Sequence, residues 1–185
     1  PIPSRGLGDV YKRQVVGKFM GRNDSQSLLY DRNSGLAATV GFDANGALST
    51  DVNHEDWLKT WSLIVSGAFL SNGKEQVALY DPTRGIVDIV GFDGNGEHDW
   101  QQTYDDWGST WDKMVAGDFL GEDNEQLALY DSIHGECDIA AFDAEGNLSL
   151  RQKNTGWRKS WELMVSGNFI GNGKSQLALY SDCLL

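Results

Sequence analysis

An all-β fold, built from a tandem unit of four short antiparallel strands, is predicted by three observations. Tyr30, Tyr80, Tyr130 and Tyr180 stand 50 residues apart, as do Gly17, Gly67, Gly117 and Gly167, and Phe19, Phe69, Phe119 and Phe169. Each period holds short apolar runs separated by Gly- and Asp-rich turn signals, which is the pattern of strands. No window between turn signals places apolar residues at i, i+3, i+4 and i+7, so helices are excluded as the organising element. The copies carry no insertion or deletion relative to one another, so one can be read for all.

In the second copy, Leu63 to Phe69 is an apolar run and the first strand. Ser71 to Lys74 is a turn, and Gln76 to Tyr80 the second strand. Asp81 to Gly85 is another turn, in which Pro82 presets φ and Gly85 supplies positive φ. Ile86 to Phe92, rich in β-branched residues, is the third strand. Asp93-Gly94-Asn95-Gly96 is a tight hairpin signal, echoed by Asp43-Ala44-Asn45-Gly46 and Asp143-Ala144-Glu145-Gly146. Glu97 to Tyr104 is a more polar fourth strand, and a polar stretch through Trp107 and Trp111 leads on. Four short antiparallel strands per period, with polarity rising toward the last, are the signature of a β-propeller blade. The first strand is expected to be covered on both faces and the last to meet water.

The blades are expected at 15–61, 62–111 and 112–161, with a half-blade at 162–180, so the propeller is incomplete at about three and a half blades. Residues 1–14 share nothing with the repeat and resemble translated adapter sequence of the kind found at the ends of metagenomic reading frames. Residues 181–185 depart from the Tyr-Asp of the other copies and read as a second such scar. Both are set outside the fold. Closed propellers need at least four blades. An open fan is therefore expected, prone to self-association through its uncovered blade edges.

The 185-residue chain is long enough for one domain with a sizeable core. Its net charge of -12 repels phosphates and anionic lipid heads, which sets nucleic acid and membranes aside as partners. No segment approaches the roughly 20 apolar residues of a membrane span. The N-terminal residues lack the apolar core of a signal peptide, which carries no weight at a scarred end. Aromatic-rich blades and an acidic surface fit an extracellular or cell-surface module. Cys183 falls in the tail, and Cys137 stands alone in an apolar strand, where a cysteine acts as a small hydrophobe.

The run from Gly117 to Tyr130 (GDFLGEDNEQLALY) resembles the FG-GAP/VCBS-type propeller repeat, whose pattern reads Gly-Asp-Phe-x-Gly-Asp-Gly-x-x-Asp-Leu-Ala. The resemblance covers 15–180 through four occurrences. It implies the propeller fold and leaves function open, since such propellers serve adhesion receptors, secreted enzymes and lectin-like proteins. It also implies a loop that often holds calcium, which needs six or more oxygens. Here the second ligand position is apolar in every copy (Met20, Leu70, Leu120, Ile170), and the last is Gln26, Gln76, Gln126 or Gln176. Only the loop of Asp118 and Glu122 keeps two plausible carboxylates, so no cofactor is expected. The Gln amides are expected to close the loops on backbone groups.

No Gly-x-Ser-x-Gly, Cys/His pairing or phosphate loop is present, and the chain is expected to be non-catalytic. His54, His98 and His134 occupy different repeat positions and are expected to be solvated. Asp31, Asp81, Asp131, Asp43, Asp93 and Asp143 sit at turn starts, where side-chain-to-backbone bonds account for them. The pairs Trp57/Trp61, Trp107/Trp111 and Trp157/Trp161 are the candidates for ligand contact. Trp61, Trp111 and Trp161 adjoin the first strand and are expected in the core. Trp57, Trp107 and Trp157, with polar or glycine neighbours, are the candidates for exposure, and the non-repeating Trp100 joins them. A non-catalytic binding module follows, with a carbohydrate, lectin-like ligand favoured. The alternatives are a protein-interaction or adhesion scaffold, or an accessory propeller of a larger secreted enzyme.

Overall fold

The computed structural model describes residues 13–122 and 124–182, and they form fourteen strands and no helix. The first sheet comprises β1 (Arg13–Gly17), β2 (Gln26–Asp31), β3 (Leu36–Phe42) and β4 (Leu48–His54). The second comprises β5 (Leu63–Gly67), β6 (Gln76–Asp81), β7 (Ile86–Phe92) and β8 (His98–Tyr104). The third comprises β9 (Lys113–Gly117), β10 (Gln126–Asp131), β11 (Glu136–Phe142) and β12 (Leu148–Thr155). A hairpin of β13 (Leu163–Gly167) and β14 (Gln176–Tyr180) follows. Every sheet is an antiparallel meander in chain order.

Register repeats with the sequence. Gly17, Gly67, Gly117 and Gly167 pair with Gln26, Gln76, Gln126 and Gln176. Each third strand slips register just before its last Phe: Phe42, Phe92 or Phe142. Arg13 and Gln14, placed by sequence in the leader 1–14, belong to β1 and pair with Tyr30 and Leu29. A backbone ladder asks only for N–H and C=O groups, so side chains unlike the repeat continue the strand. Residues 1–12 and 183–185, with Cys183, lie outside the described residues.

Burial peaks in the middle of each sheet. Every residue of β6, β7 and β10 is buried, while β8 and β12 are largely exposed. The exposed fourth strand matches the polarity gradient. The first strand does not match the expectation of full cover, since β5 is mostly half-buried. The reason is geometric. First strands of successive sheets lie against one another, β1 by β5, β5 by β9 and β9 by β13, and they border an open groove of about 370 Å³ lined by Val16, Val65, Ala116 and Val165. Two apolar clusters fill the spaces between sheets. One joins Phe19, Leu28, Tyr30 and Trp61 to Leu79 and Phe92. The other joins Phe69, Tyr80, Ile89 and Trp107 to Leu129 and Phe142. A fully buried side chain of this size is worth about 1.5–3 kcal/mol, so the inter-sheet seams carry much of the stability.

The glycine ending each first strand sets how closely sheets approach. A Cβ on Gly67 would stand 2.8 Å from the Ala116 Cβ and 2.8 Å from the Phe69 ring. Gly94, in the hairpin turn, has nothing within 4 Å, and Ala44 and Ala144 fill its place in the other copies. Gly67→Ala is therefore expected to cost about 1–3 kcal/mol in urea unfolding, as overpacking does. Gly94→Ala should be neutral or stabilising by up to about 1 kcal/mol, through the unfolded chain. Equal effects at the two sites would contradict this packing.

Candidate functional site

The loop leaving each fourth strand is tied back to its own sheet in the same way three times. The backbone N–H groups of Trp57, Trp107 and Trp157 donate to the carbonyls of Gly35, Gly85 and Gly135, at 3.1, 2.9 and 2.9 Å. The hydroxyls of Tyr30, Tyr80 and Tyr130 donate to the carbonyls of Leu58, Gly108 and Arg158, at 2.5, 3.1 and 2.5 Å. The turn aspartates brace the same region. Asp31, Asp81 and Asp131 accept the N–H groups of Asn33, Thr83 and Ile133, and Asp81 and Asp131 also accept the Thr60 and Thr110 hydroxyls. The hairpin aspartates Asp43, Asp93 and Asp143 likewise accept backbone N–H groups. All six carboxylates thus have the structural role that the sequence assigns them.

The tied loops present their indoles unequally. Trp57 and Trp157 are half-buried, whereas Trp107 is 1% exposed. The expectation of three equivalent exposed indoles fails at Trp107, which sits in the apolar cluster between the second and third sheets and is covered by Arg151 on β12. Its guanidinium carbon sits 4.3 Å from the centre of the Trp107 ring, held by Nε on Asp138 Oδ2 and Nη1 on the Asp106 carbonyl, each at 2.9 Å. Trp61 and Trp111 are buried as expected, and Trp161 is half-buried beside Arg158. The Trp111 Nε1 donates to the Trp107 carbonyl. Trp100 is seated on the next sheet: a Cβ on Gly146 would lie 2.5 Å from its ring, so Trp100 acts as packing between the second and third sheets.

Where Arg151 has no counterpart, a cleft opens. Between the first and second sheets lies a space of about 410 Å³ lined by Trp57, Asp88, Gln101, Arg84, Thr103 and Glu55, among others. Asp88 is buried, and its Oδ2 accepts the Gln101 amide at 2.6 Å. Burial pushes its pKa up, opposed by the hydrogen-bonding of Thr103 and Gln101 and by the nearby charge of Arg84. The sequence reading missed this group. The signal was a third-strand column, Ala38/Asp88/Asp138, that gains a carboxylate in the second and third copies, beside a fourth-strand column, Asp51/Gln101/Arg151, that differs in every copy.

The loop proposed as a weak calcium candidate is internally bonded. Asp118 Oδ1 accepts the N–H groups of Gly121 and Glu122, at 2.6 and 2.9 Å. Among the described residues, no three His, Cys, Asp or Glu side chains gather as a metal-holding group. The four Gln amides close their loops as expected. Their Oε1 atoms accept the N–H groups of Met20, Leu70, Leu120 and Ile170, and their Nε2 atoms donate to the carbonyls of Asp24, Lys74, Asn124 and Lys174. Cys137 is buried, and burial pushes its thiol up to about 12.

His54 departs from the expectation of solvent exposure. It is buried, with Nε2 2.8 Å from the Thr39 hydroxyl and its ring 5.3 Å from Phe92. No protein-family model and no curated protein matches this chain, so function has to be read from the residues themselves.

Burial, with the nearby charge of His98, holds the His54 imidazole below its ordinary 6.5. The unfolded chain therefore takes up a proton that the folded chain refuses. Stability is expected to be full above about pH 6.5 and to fall as pH drops from there through the lower folded value. Urea unfolding across pH 5–7.5 reads this slope on the scale of an ordinary histidine titration, roughly pH 6.5. His54→Tyr, the residue of the second copy, should flatten it. An unchanged slope would contradict the burial of this ring.

Proposed function

We propose that the chain is a non-catalytic β-propeller module of the FG-GAP/VCBS type, and that it binds a partner protein through the cleft between its first two sheets. The propeller reading is supported by meanders of one order whose first strands adjoin around a shared groove. The binding reading is carried by one observation. Trp57 is left half-exposed in a lined cleft, whereas the equivalent Trp107 is covered. A protein ligand is favoured over a sugar because the array of equivalent open indoles is broken at Trp107. The cleft rim also carries the exposed carboxylates Glu55 and Asp56 on a chain of net charge -12, which attracts basic surfaces.

A carbohydrate ligand is the second reading. The observation favouring it is that the Trp57 indole shares the cleft with Gln101, Thr103 and Arg84, an apolar face beside hydrogen-bonding groups. Fluorescence titration of the full chain with basic peptides and with soluble glycans separates the two. Basic peptides are expected to shift the emission and glycans to leave it unchanged. Trp57→Phe should weaken the peptide about tenfold, the loss of about 1.4 kcal/mol expected for a desolvated cation–indole contact. Glycan-dependent protection of Trp57 from acrylamide would transfer the assignment to carbohydrate.

A further inference from the structure

The third sheet carries its own occupant of the position that the first cleft leaves open. Arg151 makes three contacts there: the Trp107 face, the buried Asp138 carboxylate and the Asp106 carbonyl. All three receptors recur 50 residues earlier as Trp57, Asp88 and Asp56. The two carbonyls are presented alike, because Asp56 and Asp106 share an unusual left-handed φ of 64°. The two carboxylates are also presented alike. Asp88 and Asp138 are both buried, and each uses Oδ2 to accept the side chain 13 residues on. That side chain differs, as do the flanking Arg84 and Thr103, which are His134 and Lys153 in the third sheet. Gln101 reaches the carboxylate at 2.6 Å but ends there, and no cation among the described residues lies over the Trp57 ring.

We propose that the first cleft is a receptor for a guanidinium group, and that its ligand is an arginine side chain of the partner protein. This rests on the protein-interaction reading above. Arg151 is then a built-in copy of the ligand, which closes the second cleft. An incoming arginine stacks on Trp57, replaces the Gln101 amide on Asp88 and donates to the Asp56 carbonyl. A planar guanidinium can stack while donating along two directions in its plane, whereas an ammonium is a compact point charge. Arginine is therefore expected to be preferred over lysine. Arg84 at the rim does not forbid a second cation. It leans toward the Asp81 carboxylate, with Nε 3.9 Å from Oδ2.

The test uses the full chain and needs no natural partner. Gln101→Arg is expected to close the first cleft from within, as Arg151 closes the second. It should remove most of the acrylamide quenching that Trp57→Phe identifies as belonging to Trp57. N-acetyl-arginine amide should bind the parent protein at least tenfold more tightly than its citrulline analogue, and more tightly than N-acetyl-lysine amide. Gln101→Arg should abolish that binding, and Arg151→Gln should open a second site at Trp107. Trp57-dependent binding with arginine and citrulline equal, or unchanged quenching in Gln101→Arg, would overturn the guanidinium assignment alone. Basic-peptide binding unaffected by Trp57→Phe would instead overturn the protein-interaction reading of the cleft.

Discussion

The backbone tie between each inter-sheet loop and the turn of its own sheet is the constraint from which the rest follows. A Trp N–H reaches back 22 residues to a glycine carbonyl, and a Tyr hydroxyl closes the same loop from beneath. Each bond is worth only about 0.5–1.5 kcal/mol net. Together with the Tyr rings, which are 0–1% exposed, they fix a loop that would otherwise be free to wander. The turn glycine is required for the approach itself, since a Cβ on Gly35 would lie 2.4 Å from the Trp57 carbonyl. Once the loop is tied, the position of the first indole, and of the carbonyl before it (Asp56, Asp106 or Gly156), is set in each of the three copies.

Identical scaffolding does not yield identical surfaces. The tied loop offers the same indole and carbonyl above the first and second seams, and the facing strands decide what happens to them. At the seam of the second and third sheets, Arg151 bonds Asp138 through Nε and covers the buried Trp107 ring. At the seam of the first and second sheets, Asp88 and Gln101 stop short and leave a cleft. The surfaces of the copies diverge in the columns where their residues differ. The columns that agree, such as the Gln of each second strand and the Asp of each turn, close loops and cap turns.

Strand number, order and turn chemistry were readable from the sequence because they depend on local signals. A Gly-Asn or Asp-Gly turn, an apolar run and a glycine pairing with a glutamine recur at fixed offsets, and local hydrogen bonds follow from them. The errors came from contacts made across seams. Trp107 has polar neighbours in sequence, and its cover comes from Arg151, 44 residues on. His54 ends a polar strand, yet it meets Phe92 of the next sheet. The half-exposure of the first strands depends on how neighbouring sheets face one another, which no window within one copy contains. The cleft was missed for the same reason. Asp88 and Gln101 are unremarkable singly and gain meaning only when their register places them opposite Asp138 and Arg151 in comparison.

The claim that most needs measuring is the inequality of two loops with one scaffold. Labelling the tryptophans with nitrogen-15 gives one indole resonance per ring, and a soluble gadolinium chelate reports how near solvent approaches each. The account predicts strong relaxation enhancement at Trp57 and little at Trp107 in the unmodified chain. Equal enhancement at the two indoles, or the reverse order, would contradict it.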